Sequence, residues 1–243
     1  MRYLILSDLH ANVQALDAVL AAAAIGYDRI LCLGDLVGYG ADPAAVVDRM
    51  FALDDVVFVR GNHDKVCAGL ETADSFNEVA RRSIEWTRGV LTPDRMARLA
   101  GLPPGPRRVH RALEICHGAP FDEDYYVLDA ADAARALDAA RAPICLYGHT
   151  HVPAVFTAAD APPQPDAARP DVLHLPVSGA ALVNVGSVGQ PRDGDPRAAY
   201  GVLDLETRTL ELRRVTYDVR AAQRRILEEG LPPWLAERLH LGR

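Results

Sequence analysis

The chain opens on a short apolar run, residues 2–6, that stops abruptly at polar Ser7-Asp8. Comparable runs at 29–33 and 56–59 predict two more strands. Between them, segments 12–24 and 43–53 repeat apolar residues at helical spacing. Short apolar strands alternating with helices predict parallel pairing in a sheet buried on both faces. Helices are predicted over 73–89 and 93–99, the second with proline in its first turn. After Pro103-Pro104 the pattern changes to strands at 107–111, 113–116 and 144–147, with a helix over 131–140. Runs 181–185, 199–205 and 210–216 read as an antiparallel region, and helices over 220–229 and 234–241 close the chain. Residues 158–171, rich in Ala, Pro and Asp and without periodicity, read as a loop between strands. No linker divides the chain, so residues 1–243 are expected to form a single α/β domain.

Composition narrows the function classes. The formal charge of −7 gives no basic footprint for duplex nucleic acid or an anionic membrane. A nuclease is thereby disfavoured rather than eliminated, because bound metal supplies its own positive charge. Lys65 is the only lysine, which reads as compositional bias, and no Gly-Lys-Ser/Thr phosphate loop exists. Cys32, Cys67, Cys116 and Cys145 form no Cys-x-x-Cys pair and are expected as buried thiols. No apolar run approaches the ~20 residues of a membrane span, and the first apolar run is too short for a signal peptide. A cytoplasmic protein is expected, with no membrane partner.

The candidate chemistry sits at the ends of predicted strands: Asp8-Leu9-His10, Gly34-Asp35, Gly61-Asn62-His63-Asp64, His117-Gly118 and Gly148-His149-Thr150-His151. In open α/β sheets the carboxyl ends of strands share one edge, where such motifs meet. Imidazole with carboxylate suits zinc, iron, manganese or nickel better than calcium or magnesium. In Asp8-x-His10 and His149-x-His151, two-residue spacing on extended backbone would project both side chains to one side. Gly34, Gly61, Gly118 and Gly148 are expected to let the backbone turn sharply beside the cluster. Each motif alone has a structural reading, as a hydrogen-bonded histidine or a common turn. The ordered set does not.

That ordered set, D-x-H, G-D, G-N-H-D/E, H and G-H-x-H, resembles the signature of the calcineurin-like metallophosphoesterases. The resemblance runs from Asp8 to His151 and continues through residues 184–192, which look like the tail of small bacterial and archaeal members. It implies two mixed β-sheets packed as a sandwich flanked by helices, a four-layer αββα fold. It implies two divalent metal ions: Asp8, His10 and His151 on one, Asn62, His117 and His149 on the other, Asp35 bridging. It also implies attack by a metal-bridging hydroxide on a small phosphodiester or phosphomonoester, with His63 as the catalytic residue beside the phosphate.

Protein Ser/Thr phosphatases of the superfamily carry G-D-x-V-D-R-G after the second strand, whereas this chain has Gly34-Asp35-Leu36-Val37-Gly38-Tyr39-Gly40. The orienting aspartate and the phosphate-binding arginine are missing, so a phosphoprotein phosphatase is not expected. Asp64 is the nearest candidate to orient His63. Asn12, Tyr39 and Arg192 are candidate substrate contacts, though Asn12 equally suits a helix cap and Arg192 a surface position. Ser187 is expected to satisfy backbone in a glycine-rich turn. The main alternative is a non-catalytic protein-interaction module on the same fold, the character of the retromer subunit that resembles this family. The sequence leaves substrate, metal identity and oligomeric state open.

Overall fold

A computed structural model describes residues 1–24, 26–157, 164–165 and 171–243. The first half runs β1 (Arg2–Leu6), α1 (Val13–Ala22), β2 (Arg29–Cys32), α2 (Pro43–Phe51), β3 (Val56–Phe58), α3 (Asn62–Cys67), α4 (Glu78–Val90) and α5 (Pro93–Ala100). It continues through β4 (Arg107–His110), β5 (Leu113–Ile115), α6 (Ala130–Ala139), β6 (Ile144–Tyr147), β7 (Ala154–Thr157) and β8 (Gln164–Pro165). The remainder is β9 (Val172–His174), β10 (Ala181–Asn184), β11 (Ala198–Asp204), β12 (Thr209–Val215), α7 (Val219–Glu228) and α8 (Pro233–Leu241).

The strands form two mixed sheets, ordered β3-β2-β1-β11-β12-β9-β8 and β4-β5-β6-β10-β7. The predicted parallel pairing holds: Leu4 lies opposite Ile30, and Leu31 opposite Val57. Period-two alternation along β1 divides its side chains between two cores. Tyr3 and Ile5 face the second sheet, packing in one cluster with Ile115, Leu146 and Val183. Leu4 and Leu6 face outward against Leu16, Val19, Val46 and Met50 of α1 and α2. On the far side, Cys145 and Tyr147 pack against Ala133 and Ala136 of α6. The result is the expected layered order of helices, sheet, sheet and helix. All four cysteines are buried free thiols. Among the described residues no helix is long and apolar enough to cross a membrane.

Three expectations change. Strand β10 does not join β11 and β12 in an antiparallel region; it pairs in parallel with β6 and antiparallel with β7, in the other sheet. Helix α4 begins at Glu78 rather than near residue 73, because the Asn77 side chain accepts from Ala80 N at 2.9 Å and caps it there. The motif at 61–64, where no helix is predicted, opens the short helix α3. The expectation of a loop at 158–171 falls largely outside the described residues.

Candidate metal centre

Five strands deliver the motifs to one edge. Asp8 and His10 follow β1, Asp35 follows β2, Asn62 and His63 open α3 after β3, His117 follows β5, and His149 and His151 follow β6. The backbone there is not extended. Asp8, His10, Asp35, His149 and His151 have φ of 53°, 45°, 55°, 68° and 61°. Left-handed conformations are costly for non-glycine residues and persist only where surrounding structure enforces them. The enforcement is visible in main-chain bonds: Asp8 N donates to Gly34 O, His10 N to Asp35 O, and Gly189 N to Asp8 O. The expected same-side projection of His149 and His151 therefore fails, and the two imidazoles enter different clusters.

Of the four glycines, only Gly34 takes a left-handed φ, 97°. Gly61 is required for room, since a Cβ there would come within 2.0 Å of Asp35 Oδ1.

Two groups of side chains hold ligand atoms within 4.8 Å of one another: Asp8, His10, Asp35 and His151, and Asp35, His117 and His149. All are buried, and Asp35 belongs to both. Asp35 Oδ2 lies 3.5 Å from His10 Nε2 and 3.4 Å from His117 Nε2. Asp8 Oδ1 lies 3.4 Å from His151 Nε2. Asn62 Oδ1 is 3.2 Å from His117 Nε2, which brings the amide to the second group.

Backbone carbonyls set the tautomers. His10 Nδ1 meets Val37 O at 3.1 Å, His117 Nδ1 meets Leu33 O at 2.8 Å, and His151 Nδ1 meets Gln190 O at 2.7 Å. A carbonyl only accepts, so each Nδ1 carries a proton. His10 and His151 turn an Nε2 lone pair inward, whereas at His117 the Asp35 carboxylate outweighs burial, raises the imidazole to about 10 and keeps Nε2 protonated toward Asp35 Oδ2. His149 is reversed: Nε2 donates to Asp124 O at 3.1 Å, leaving Nδ1 as the inward nitrogen. Burial pushes His10, His149 and His151 well below the ordinary histidine value and raises Asp8 to about 6. Burial would raise Asp35 too, but His117, His63 and His10 around it hold its carboxyl well below the usual range.

His63 lies outside both groups. Its main-chain N–H donates to Asp35 Oδ1 at 2.9 Å, and its ring is walled by Tyr39, Phe76 and His10, with centroids 4.5, 4.7 and 5.0 Å away. Asp64 does not orient it. That carboxylate accepts from Leu36 N at 2.8 Å and Gly61 N at 3.0 Å, fixing the backbone of two site loops. His63 Nδ1 has no hydrogen-bond partner and is buried, and aromatic packing, not a carboxylate, holds the ring. A cleft of about 200 Å³ opens beside it, lined by Tyr39, Asn62, His63, Asp124, Tyr126 and His149.

The three secondary candidates divide. Both ends of the Asn12 amide are engaged in the fold, with Oδ1 accepting from Ala15 N at 3.1 Å as the α1 cap and Nδ2 donating to Gly189 O at 2.9 Å. Tyr39 lines the cleft. The Arg192 guanidinium lies 5.7 Å from the Tyr39 ring centre, donates to Gln190 Oε1, and has a buried Nε without a partner.

Several supporting residues escaped the sequence reading. Lys65, buried, pairs with Asp124 at 2.5 Å, Glu71 at 2.6 Å and Glu123 at 3.3 Å. This ties α3 to the loop that presents Asp124 O to His149 and stacks Tyr126 on that imidazole at 3.7 Å. The available signal was a solitary lysine directly after the Asn-His-Asp motif. Ser187, as expected, serves the backbone, donating to Asp8 O at 2.7 Å and accepting from Gln190 N at 2.8 Å.

Comparison with known proteins places this chain among relatives. The family model for the calcineurin-like phosphoesterase superfamily domain matches residues 1–208. The uncharacterized protein MJ0912 of Methanocaldococcus jannaschii is 34% identical over 247 residues, spanning 98% of this chain and 97% of that protein. A crystal structure of a metallophosphoesterase from Sphaerobacter thermophilus has 37% identity, a TM-score of 0.87 and full coverage of both chains. The hypothetical protein PH1004 from Pyrococcus horikoshii OT3 shares the fold at a TM-score of 0.79 and 18% identity, covering 100% of this chain and 98% of that one.

Proposed function

The chain belongs to the calcineurin-like phosphoesterase superfamily, and from that premise we propose that it hydrolyses a small phosphate ester, a diester or a monoester, at two divalent cations sharing Asp35. The observation that carries this reading is the pair of buried ligand groups meeting at Asp35 beside a cleft walled by His63.

The donor set fits cations. His10 Nε2 and His151 Nε2 face each other at 3.1 Å with both ring protons already given to carbonyls. Two inward lone pairs at that distance repel unless a cation lies between them. Carbonyl-bonded imidazoles of this kind are the usual support of metal-ligating histidine. Asp8, His10, Asp35 and His151 would hold one ion, and Asp35, Asn62, His117 and His149 the other. Manganese, iron, zinc or nickel matches this mixture of nitrogen and oxygen donors. Bound divalent cations supply Lewis-acid charge at phosphoryl oxygens and acidify water enough for attack at neutral pH.

The protein's own groups do the remainder. His63, fixed by its aromatic wall and outside both ligand groups, stands over the cleft. Burial lowers its imidazole to about 4, so the N–H of the neutral ring would be the donor that protonates the leaving oxygen or stabilises charge on it. Arg192, beside the Tyr39 ring, adds positive charge next to the cleft. Tyr39 and Phe76 keep water from the far face of His63. Metal analysis of the purified protein, coupled to a panel of mono- and diesters, tests the reading. Turnover should depend on added divalent metal and fall by more than about 100-fold in Asp35→Asn. Absence of turnover with every metal would leave the non-catalytic module in its place.

A further inference from the structure

The C-terminal helix α8 brings residues to the cleft that no motif contains. Trp234 and Arg238, one helical turn apart, lie on the same face of α8. They line a second cleft of about 270 Å³ together with Asn77, Glu78 and Val79, and Tyr39 and Asn77 are walls common to this cleft and the one beside His63. Trp234 is 47% exposed there, which leaves part of its ring open to a ligand in the cleft. The Arg238 guanidinium lies 5.8 Å from the Tyr39 ring centre, and that of Arg192 lies 5.7 Å from it. Neither arginine pairs with an Asp or Glu side chain among the described residues; Arg192 donates to Gln190, and Arg238 Nε to the main-chain oxygen of Arg243. Glu78, the one acid on the cleft wall, pairs with Arg81. Burial and the neighbouring Arg192 charge lower Arg238 to about 10. Two under-compensated guanidinium groups sharing one ring, in a chain of net charge −7, mark a place for an anion.

We propose that α8 extends the substrate site into a nucleotide-binding cleft, in which Trp234 stacks on a planar base and Arg238, with Arg192, grips a phosphate group beyond the one hydrolysed. The proposal rests on the phosphoesterase reading above and names its substrate class: a nucleotide bearing two or more phosphate groups. Bases stack on exposed aromatic faces irrespective of sequence, and arginine matches phosphate oxygens with two parallel donors.

Calorimetric titration of the metal-loaded full chain with adenosine diphosphate, inorganic pyrophosphate and inorganic phosphate tests it, alongside turnover of a small chromogenic phosphate ester. Adenosine diphosphate should bind at least about tenfold more tightly than phosphate. Arg238→Gln should weaken the diphosphate and pyrophosphate by about tenfold and phosphate by less. The exposed Trp234→Ala should weaken adenosine diphosphate by about fivefold or more and leave pyrophosphate in place. Equal affinity for all three anions, or indifference of adenosine diphosphate to both substitutions, overturns the proposal. Turnover of the small ester without selective diphosphate binding rejects the extension while the hydrolase stands. Selective binding without turnover supports the nucleotide cleft and rejects the hydrolase.

Discussion

At the scale of single residues, the site is built from side chains in conformations they would not adopt alone. His63 illustrates how role and position separate. It sits between Asn62 and Asp64, yet its imidazole belongs to neither ligand group and is held by Tyr39, Phe76 and His10. His63→Ala should therefore lower kcat by roughly 10²–10⁴-fold, the range of a positioned proton donor, while metal content by elemental analysis stays at the wild-type level. Equal loss of metal and rate would make His63 part of the metal support instead. Gly61 makes the complementary case. Alanine there drives Cβ into Asp35 Oδ1, at 2.0 Å in the present backbone. Gly61→Ala should cost metal occupancy and activity together, with far-ultraviolet circular dichroism unchanged. These residue types were legible from the sequence. Their backbone state was not, because two-residue spacing on an assumed strand says nothing about five candidate ligands at positive φ.

At the scale of elements, the short helix α3 joins the two halves of the site. Its first turn carries Asn62 and His63, its Asp64 ties down the loops after β2 and β3, and its Lys65 anchors the loop between β5 and α6. Lys65 is buried, whereas Glu123, Asp124 and Glu71 keep 21%, 38% and 43% of their side chains exposed. Removing a buried charge from such a cluster costs less than from a fully dry one, so Lys65→Met should destabilise the fold by about 2 kcal/mol in denaturant titration. The larger effect should be on catalysis, because Asp124 O and Tyr126 would no longer hold His149. A variant with wild-type turnover and reduced stability would show that the loop keeps its place without the ion pairs. Sequence periodicity found the long elements to within a few residues. It missed α3, whose six residues are too few to show a helical period, and β7 and β9, each of three or four residues.

At the scale of the whole molecule, buried carboxylates and imidazoles crowd one sheet edge, a charge arrangement that a bound cation would relieve. Cation binding, as proposed, would then be linked to folding. Manganese at about 100 times its dissociation constant should add about 2.7 kcal/mol of stability, a rise of roughly 5–10 °C in Tm at this chain length. A chelator should reverse the rise in a thermal melt, and Asp35→Asn should show none. A Tm indifferent to every divalent metal would count against a metal centre altogether. The sequence by itself determined the chemistry of the candidate ligands, the order of the longer strands and helices, and the uninterrupted runs that make β1 and β2 apolar on both faces, because residue type and local spacing carry that information directly. Only the tertiary structure decided which imidazole nitrogen faces inward, that β10 lies in the second sheet, and that α8 brings Trp234 and Arg238 to Tyr39. Each of those depends on contacts between segments far apart in the chain, whose relative placement is set by packing, not by local pattern.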